Sequence, residues 1–195
     1  MDYEAIKKLG NKLYFTVQDM ALVMGITTAS AHVACSRYVK KGLFLRIKNN
    51  FYVLDQNWER FSELERLQIA NYLQVPSYVS FMTALVYYEV TTQVARGFVE
   101  CACLKRSVSF DAKESKFNYI KIKRDYYSGF LKKNGIFIAS PEKAFIDSVY
   151  LTSFGKYALD TDALDMRKLN INVVKKIARV FPKKTRELAD KLCRT

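Results

Sequence analysis

The chain of 195 residues is poor in the residues on which many enzyme sites depend. It has one histidine, His32, which leaves little for a histidine-dependent triad or a multi-histidine metal site. Its seven glycines form neither GxGxxG nor the GxxxxGK loop that continues with Ser or Thr, so neither phosphate-binding loop is present. We therefore expect no enzymatic activity, no metal site and no cofactor.

Cysteines and long apolar runs are also scarce. The four cysteines, at positions 35, 101, 103 and 193, are too few and too irregular for a disulfide framework, so reduced thiols are expected. The longest apolar-rich stretch, residues 79–90, includes Glu89 and is too short to span a bilayer. Residues 1–12 contain no apolar run typical of a secretory signal. These features predict a cytoplasmic protein with no membrane partner.

Positive charge is abundant. Lys and Arg number 32 against 19 acidic residues, so the formal net charge is +13. Half of the residues are hydrophobic, which is enough for a folded core. For a compact chain, an excess of this size favours a polyanionic partner, and nucleic acid is a commoner partner than an anionic membrane surface.

The first 54 residues begin with the pattern of three short helices. Thr16 and Asp19 have the spacing of a capping box, which predicts that a helix over residues 17–24 begins there. Gly25 then allows a sharp turn before the next helix.

That next helix, predicted to run to about residue 41, precedes a predicted hairpin. The hairpin has strands over residues 43–48 and 51–54, joined by two asparagines that tolerate the positive φ of a tight turn. Helix, helix, turn, helix and hairpin is the order of a winged helix-turn-helix. We predict such a DNA-binding domain for residues 1–56.

One face of the last helix, together with the hairpin turn, carries residues suited to DNA. Small residues let a helix enter the major groove, where hydroxyls and imidazole reach base edges while cations contact phosphates. The opposite face is predicted to be the buried stripe, made of Ala31, Ala34, Cys35 and Tyr38. The predicted DNA-binding residues are Thr28, Ser30, His32, Val33, Ser36, Arg37, Lys40, Arg46, Lys48, Asn49 and Asn50.

Residues 57–195 mix helical and strand patterns, after a polar segment at 55–62 where we place the domain boundary. The fold class is therefore α+β, with the second domain a small sheet covered by helices. Its predicted helices are 62–74, 80–88, 140–151, 162–169, 172–181 and 184–193, and its predicted strands are 98–104, 107–110, 117–123 and 136–138.

Two basic features of this second part are candidate partner surfaces or solvated faces. Alternation along residues 117–123 places Tyr119 with two lysines on one sheet face, which is a surface that can stack a single strand. The last helices are amphipathic with a basic side. The predicted partner surface consists of Lys121, Lys123, Lys175, Lys176 and Arg179.

Three segments resemble the AbiEi-type antitoxins and their related transcriptional regulators. They are SRYVKKGLFLRIKNNFYVL at 36–54, YVSFMTALVYYEV at 78–90 and ASPEKAFIDSVYL at 139–151. The chain departs from the family at the hairpin turn, where Asn49 and Asn50 replace the frequent Gly, and in its short carboxyl-terminal part.

The resemblance implies a cytoplasmic protein of a type IV toxin-antitoxin, or abortive infection, system. It implies that the first domain represses its own promoter by binding inverted repeats in double-stranded DNA. It also implies that the second domain counteracts a nucleotidyltransferase-like toxin, with or without direct contact. The alternatives are a stand-alone winged-helix regulator with a ligand-sensing or dimerisation domain, and an RNA-binding protein.

Overall fold

The structure of the protein is a computed structural model that describes residues 3–93 and 96–194. Its first part consists of short helices and one antiparallel hairpin in the predicted order. The elements are α1 (Tyr3–Gly10), α2 (Val17–Met24), α3 (Thr28–Lys40), β1 (Phe44–Lys48) and β2 (Phe51–Leu54).

Local signals explain where α2 and α3 begin and end. The capping box at Thr16 is confirmed, since Asp19 N donates to Thr16 Oγ1 and Thr16 N donates to Asp19 Oδ2. Gly25 adopts the left-handed conformation, with φ 61°, between the two helices. Thr27 caps α3 by accepting from the backbone N–H of Ser30. The predicted buried stripe of α3 is confirmed, and it comprises Ala31, Ala34, Cys35 and Tyr38.

The polar segment after the hairpin, residues 55–62, is packed against the rest of the protein. Its first residues form α4 (Asp55–Trp58), and the Trp58 side chain is fully buried. Lys113 pairs with Asp55 at 2.9 Å and also with Glu59. The segment is therefore part of the packed structure, while the division at residue 56 stays a prediction.

Among the described residues, the larger part adds five α-helices and six strands. The helices are α5 (Glu63–Leu73), α6 (Phe81–Tyr87), α7 (Pro141–Ser153), α8 (Ile171–Ala178) and α9 (Lys183–Leu192). The strands are β3 (Ser77–Val79), β4 (Phe98–Cys103), β5 (Val108–Ala112), β6 (Ser115–Lys121), β7 (Phe130–Lys133) and β8 (Ile136–Ala139).

These strands form one mixed sheet in the order β5-β6-β4-β3-β8-β7. The β6–β4 and β3–β8 pairs are parallel, and the other neighbours are antiparallel. The mixed α+β fold class is thus confirmed.

Helices cover both faces of the sheet. Tyr119 of β6 donates its hydroxyl to the Ala70 carbonyl of α5, so α5 lies on the Tyr119 face. On the other face, Glu100 of β4 accepts from the Met82 backbone of α6. Since neighbouring residues of a strand point to opposite faces, these contacts place the sheet between α5 and α6.

The structure of this part differs from the sequence prediction in two ways. The strands β3 and β7 were not predicted, because β3 has only three residues and β7 is mostly exposed. The helix predicted over residues 162–169 is wrong. Residues Met166–Lys168 form one 3-10 turn, and Asp165 N donates to the Val90 carbonyl, so pairing with the segment that follows α6 replaces helical hydrogen bonds.

Within the described ranges, no helix has the length and apolar character needed to cross a bilayer. The same residues hold no cluster of three His, Cys, Asp or Glu side chains suited to a metal ion.

Candidate nucleic-acid interface

The outward face of α3 is accessible along its length. The side of the helix opposite the buried stripe exposes small, polar and basic residues, and Val33 is 68% exposed. An exposed valine on such a face can contact a thymine methyl group. The exposed residues of this face are Thr28, Ser30, His32, Val33, Arg37 and Lys40, with Ser36 half-buried.

Two hydroxyls on this face have partners within the helix. The Ser36 hydroxyl donates to the His32 carbonyl at 3.0 Å. The Ser30 hydroxyl accepts from Thr27 Oγ1 at 2.9 Å, which leaves its own proton for another acceptor. Ser30 is therefore better placed than Ser36 to donate to a base edge.

Lys48 does not project from the hairpin turn as predicted. Its ammonium donates to the Leu73 carbonyl at the end of α5 and lies 5.9 Å from the centre of the Phe110 ring. Burial and the nearby Lys105 lower the pKa of Lys48. The prediction of a phosphate contact at Lys48 is corrected, because this cation joins the hairpin to the larger part.

Asn50 also has an internal role. Its Oδ1 accepts from the Val17 backbone at 2.8 Å, and its Nδ2 donates to Gln18 Oε1 at 3.0 Å. These bonds fix the hairpin turn to the beginning of α2 and occupy the amide that was predicted to contact DNA. Arg46 and Asn49 remain exposed on the hairpin.

The predicted aromatic and basic sheet surface does not exist as such. Tyr119 is fully buried beneath α5, so its ring is inaccessible to a nucleic-acid base. Lys121 and Lys123 are exposed at the end of β6 and line a cleft on the opposite side of the sheet. The other members of the predicted partner surface, Lys175, Lys176 and Arg179, are exposed on and just after α8.

The two segments that resemble the antitoxins in the second part meet in a buried polar cluster. Lys143 and Asp147, one turn apart on α7, form an ion pair in which neither side chain reaches solvent. The Tyr78 hydroxyl donates to Asp147 at 2.9 Å and accepts from Lys143 at 2.8 Å. The Ser80 hydroxyl donates to Asp147 at 2.8 Å, so Ser80 stands at the N-cap position of α6 without making a side-chain capping bond. Sequence patterning gave no signal for this cluster.

A second buried carboxylate, Glu100, lies on the face of the sheet toward α6. It is 3% exposed and accepts from the Tyr157 hydroxyl at 2.7 Å and from Met82 N at 3.2 Å. Burial raises the pKa of Glu100, and these two hydrogen bonds oppose the rise. Burial also raises the pKa of Tyr157.

Replacing Glu100 is therefore expected to change how stability depends on pH. An acid whose pKa is raised by folding favours the folded state below its ordinary value of 4.5, and that advantage is lost as pH rises through the folded value. In Glu100→Gln this loss of stability with rising pH disappears because the amide does not titrate, while the amide oxygen still accepts both hydrogen bonds. Urea unfolding of both proteins across this pH range measures the difference in unfolding free energy.

The exposed Glu187→Gln substitution in α9 is the control and should leave the pH profile unchanged. A difference between wild type and Glu100→Gln that stays constant with pH would contradict the assignment.

Comparison with protein-family models and with curated proteins gives no match. Among solved structures, the chain is similar to the crystal structure of the RV2827C protein from Mycobacterium tuberculosis, with 9% sequence identity and a TM-score of 0.66. The alignment covers 97% of this chain and 74% of that chain. At this identity the similarity concerns the fold alone, and it supports the mixed α+β architecture.

Proposed function

We propose that the protein is a transcriptional repressor of its own promoter and the antitoxin of a nucleotidyltransferase-like toxin. In this proposal residues 1–56 form a winged helix-turn-helix that binds inverted repeats in duplex DNA. The observation that carries the DNA-binding part is the largely exposed outer face of α3, small and hydroxylic at its beginning and basic toward its end.

The internal contacts of Ser36, Lys48 and Asn50 reduce the set of residues proposed to contact DNA. Base edges are assigned to the first turns of α3, and phosphates to its end and to the hairpin. The proposed set is Thr28, Ser30, His32, Val33, Arg37, Lys40, Arg46 and Asn49.

The antitoxin part of the proposal rests on the resemblance of residues 78–90 and 139–151 and on the exposed cations of the larger part. The burial of Tyr119 removes the stacking surface on which the RNA-binding alternative depended.

Binding of a fluorescent duplex from the region upstream of the protein's own gene tests the DNA-binding proposal. If the three cations of this set, Arg37, Lys40 and Arg46, contact phosphates, the logarithm of the association constant should fall with the logarithm of salt concentration at a slope of about −2.7. Arg37→Ala and Lys40→Ala should each flatten that slope by about one, since each removes one phosphate contact. Fluorescence anisotropy at several salt concentrations measures the slope.

Lys175→Ala and Lys176→Ala on α8 form the matched control and should leave the slope unchanged. His32→Ala should instead alter the preference among base sequences, at a cost of about 1–3 kcal/mol at the affected base pair. Equal affinity for the upstream duplex and a scrambled duplex of the same length would refute the proposal.

A further inference from the structure

A cleft of about 750 Å³ opens on the face of the sheet away from α5. Its floor is formed by neighbouring strands, with Glu100 and Phe98 on β4 and Asn118 and Ile120 on β6. Its other walls are the end of α7, residues 156–158 and Pro182. A cleft of this size is within the range of pockets that hold small ligands.

Three lysines are among the residues that line this cleft. Lys121 is the last residue of β6, Lys123 lies two residues further along the chain, and Lys156 lies just beyond α7. All three are exposed, and within residues 3–93 and 96–194 none of them has a carboxylate partner. Three unneutralised cations around one concave surface favour a ligand that carries several negative charges.

Glu100, the acidic residue of the cleft, is buried, whereas the three lysines are exposed. Glu100 lies in the floor, where Tyr157 and the Met82 backbone already donate to it. Met82 follows Phe81, whose φ of 54° is unusual for a bulky residue and directs the chain at the beginning of α6. Glu100 thus provides an acceptor in the floor, and an anionic group is better placed at the lysines.

The cleft also offers an aromatic wall. Phe154 is 48% exposed although it is large and apolar, and its ring meets the Tyr150 ring edge to face at 5.5 Å. A half-exposed aromatic ring beside a basic surface suits stacking of a nucleic-acid base. Asn118, in the floor, adds an amide next to Glu100, since these two residues are register partners.

We propose that this cleft binds a nucleoside phosphate. The phosphate lies near Lys121, Lys123 and Lys156, and the base lies against Phe154. Asn118 provides the polar group that faces the base edge. This inference goes beyond the proposed repressor function and is independent of DNA binding by α3, because the cleft lies in the larger part of the chain.

Isothermal titration calorimetry of the full-length protein tests the proposal, with ATP, GTP, CTP, UTP and a 5′-phosphorylated RNA tetranucleotide as separate probes. At least one probe is expected to bind at one site per chain. The triple variant Lys121→Glu, Lys123→Glu, Lys156→Glu should weaken that binding by more than about tenfold, because charge-assisted phosphate contacts become repulsive. Binding of a mononucleotide identifies a free nucleotide as the ligand, whereas binding of the tetranucleotide alone identifies an RNA end.

The charge-matched control is Lys175→Glu, Lys176→Glu, Arg179→Glu, which changes the net charge equally outside the cleft and should weaken binding by less than about twofold. Phe154→Ala provides a second variant that leaves all charges in place. This substitution should weaken binding of the nucleotide but not of inorganic pyrophosphate, because only the nucleotide has a base that stacks on Phe154.

The proposal is overturned if none of the probes binds the wild type, or if both triple variants weaken binding equally. Thermal melting establishes whether each variant is folded. If the cleft triple variant fails to fold, Phe154→Ala and the single Lys→Gln variants decide the question, and unchanged affinity in all of them overturns the proposal.

Discussion

Asp147→Ala is expected to destabilise the protein by about 3–5 kcal/mol, because it leaves the Lys143 ammonium buried without its counter-charge. The Tyr78 and Ser80 hydroxyls lose their acceptor in the same step. Burial already lowers the pKa of Lys143, and Asp147 opposes that effect. Urea unfolding followed by circular dichroism measures the change in unfolding free energy.

The chain provides a matched control in a second pair with the same spacing. Lys183 and Glu187 are also one helical turn apart, on α9, but their side chains are 81% and 65% exposed. Glu187→Ala should cost about 0.5 kcal/mol or less, since an exposed ion pair contributes little. The double substitution Lys143→Met, Asp147→Leu should recover much of the lost stability, because it removes both buried charges. A cost below about 1 kcal/mol for Asp147→Ala would show that the cluster does not hold α7 to β3.

Under the proposed antitoxin function, reversing all five cations of the predicted partner surface is expected to abolish protection of cells from the nucleotidyltransferase-like toxin. The substitutions are Lys121→Glu, Lys123→Glu, Lys175→Glu, Lys176→Glu and Arg179→Glu. Each changes the charge by two units, so the formal net charge falls from +13 to 13 − 10 = +3. Because all five side chains are exposed, the fold should survive while an electrostatic contact is lost. Growth during toxin expression is the measurement.

The reciprocal variant Arg37→Glu, Lys40→Glu is the control. This double variant should lose repression of a promoter reporter and still protect cells from the toxin. The variant with five charge reversals should still repress the reporter. Reversing Lys121 and Lys123 separately from the three α8 cations then shows which group is needed. If the folded variant with all five charge reversals still protects cells fully, protection does not depend on the predicted partner surface. If the Arg37→Glu, Lys40→Glu variant loses protection, repression and protection are not assigned to separate parts of the chain.

Short-range sequence signals determined most helices of this protein. The capping boxes at Thr16 and Ser62, and Ser140 followed by Pro141, each act within one helical turn, so each fixes where a helix begins. The hairpin was predictable for the same reason, since its turn consists of the two asparagines between its strands. The exposed face of α3 followed from helical periodicity alone.

Tertiary structure decided the roles of individual polar residues. Lys48 turns toward Leu73, 25 residues away, and Ser80 toward Asp147, 67 residues away, so no local pattern could reveal either partner. Tyr119 lies on the sheet face that strand alternation predicts, but α5 covers this face, which was expected to be open. The cleft likewise exists only because β4, β6 and the end of α7 are brought together. Local hydrogen bonds and periodicity set the elements, whereas burial and long-range contacts set which charges and rings remain available to a ligand.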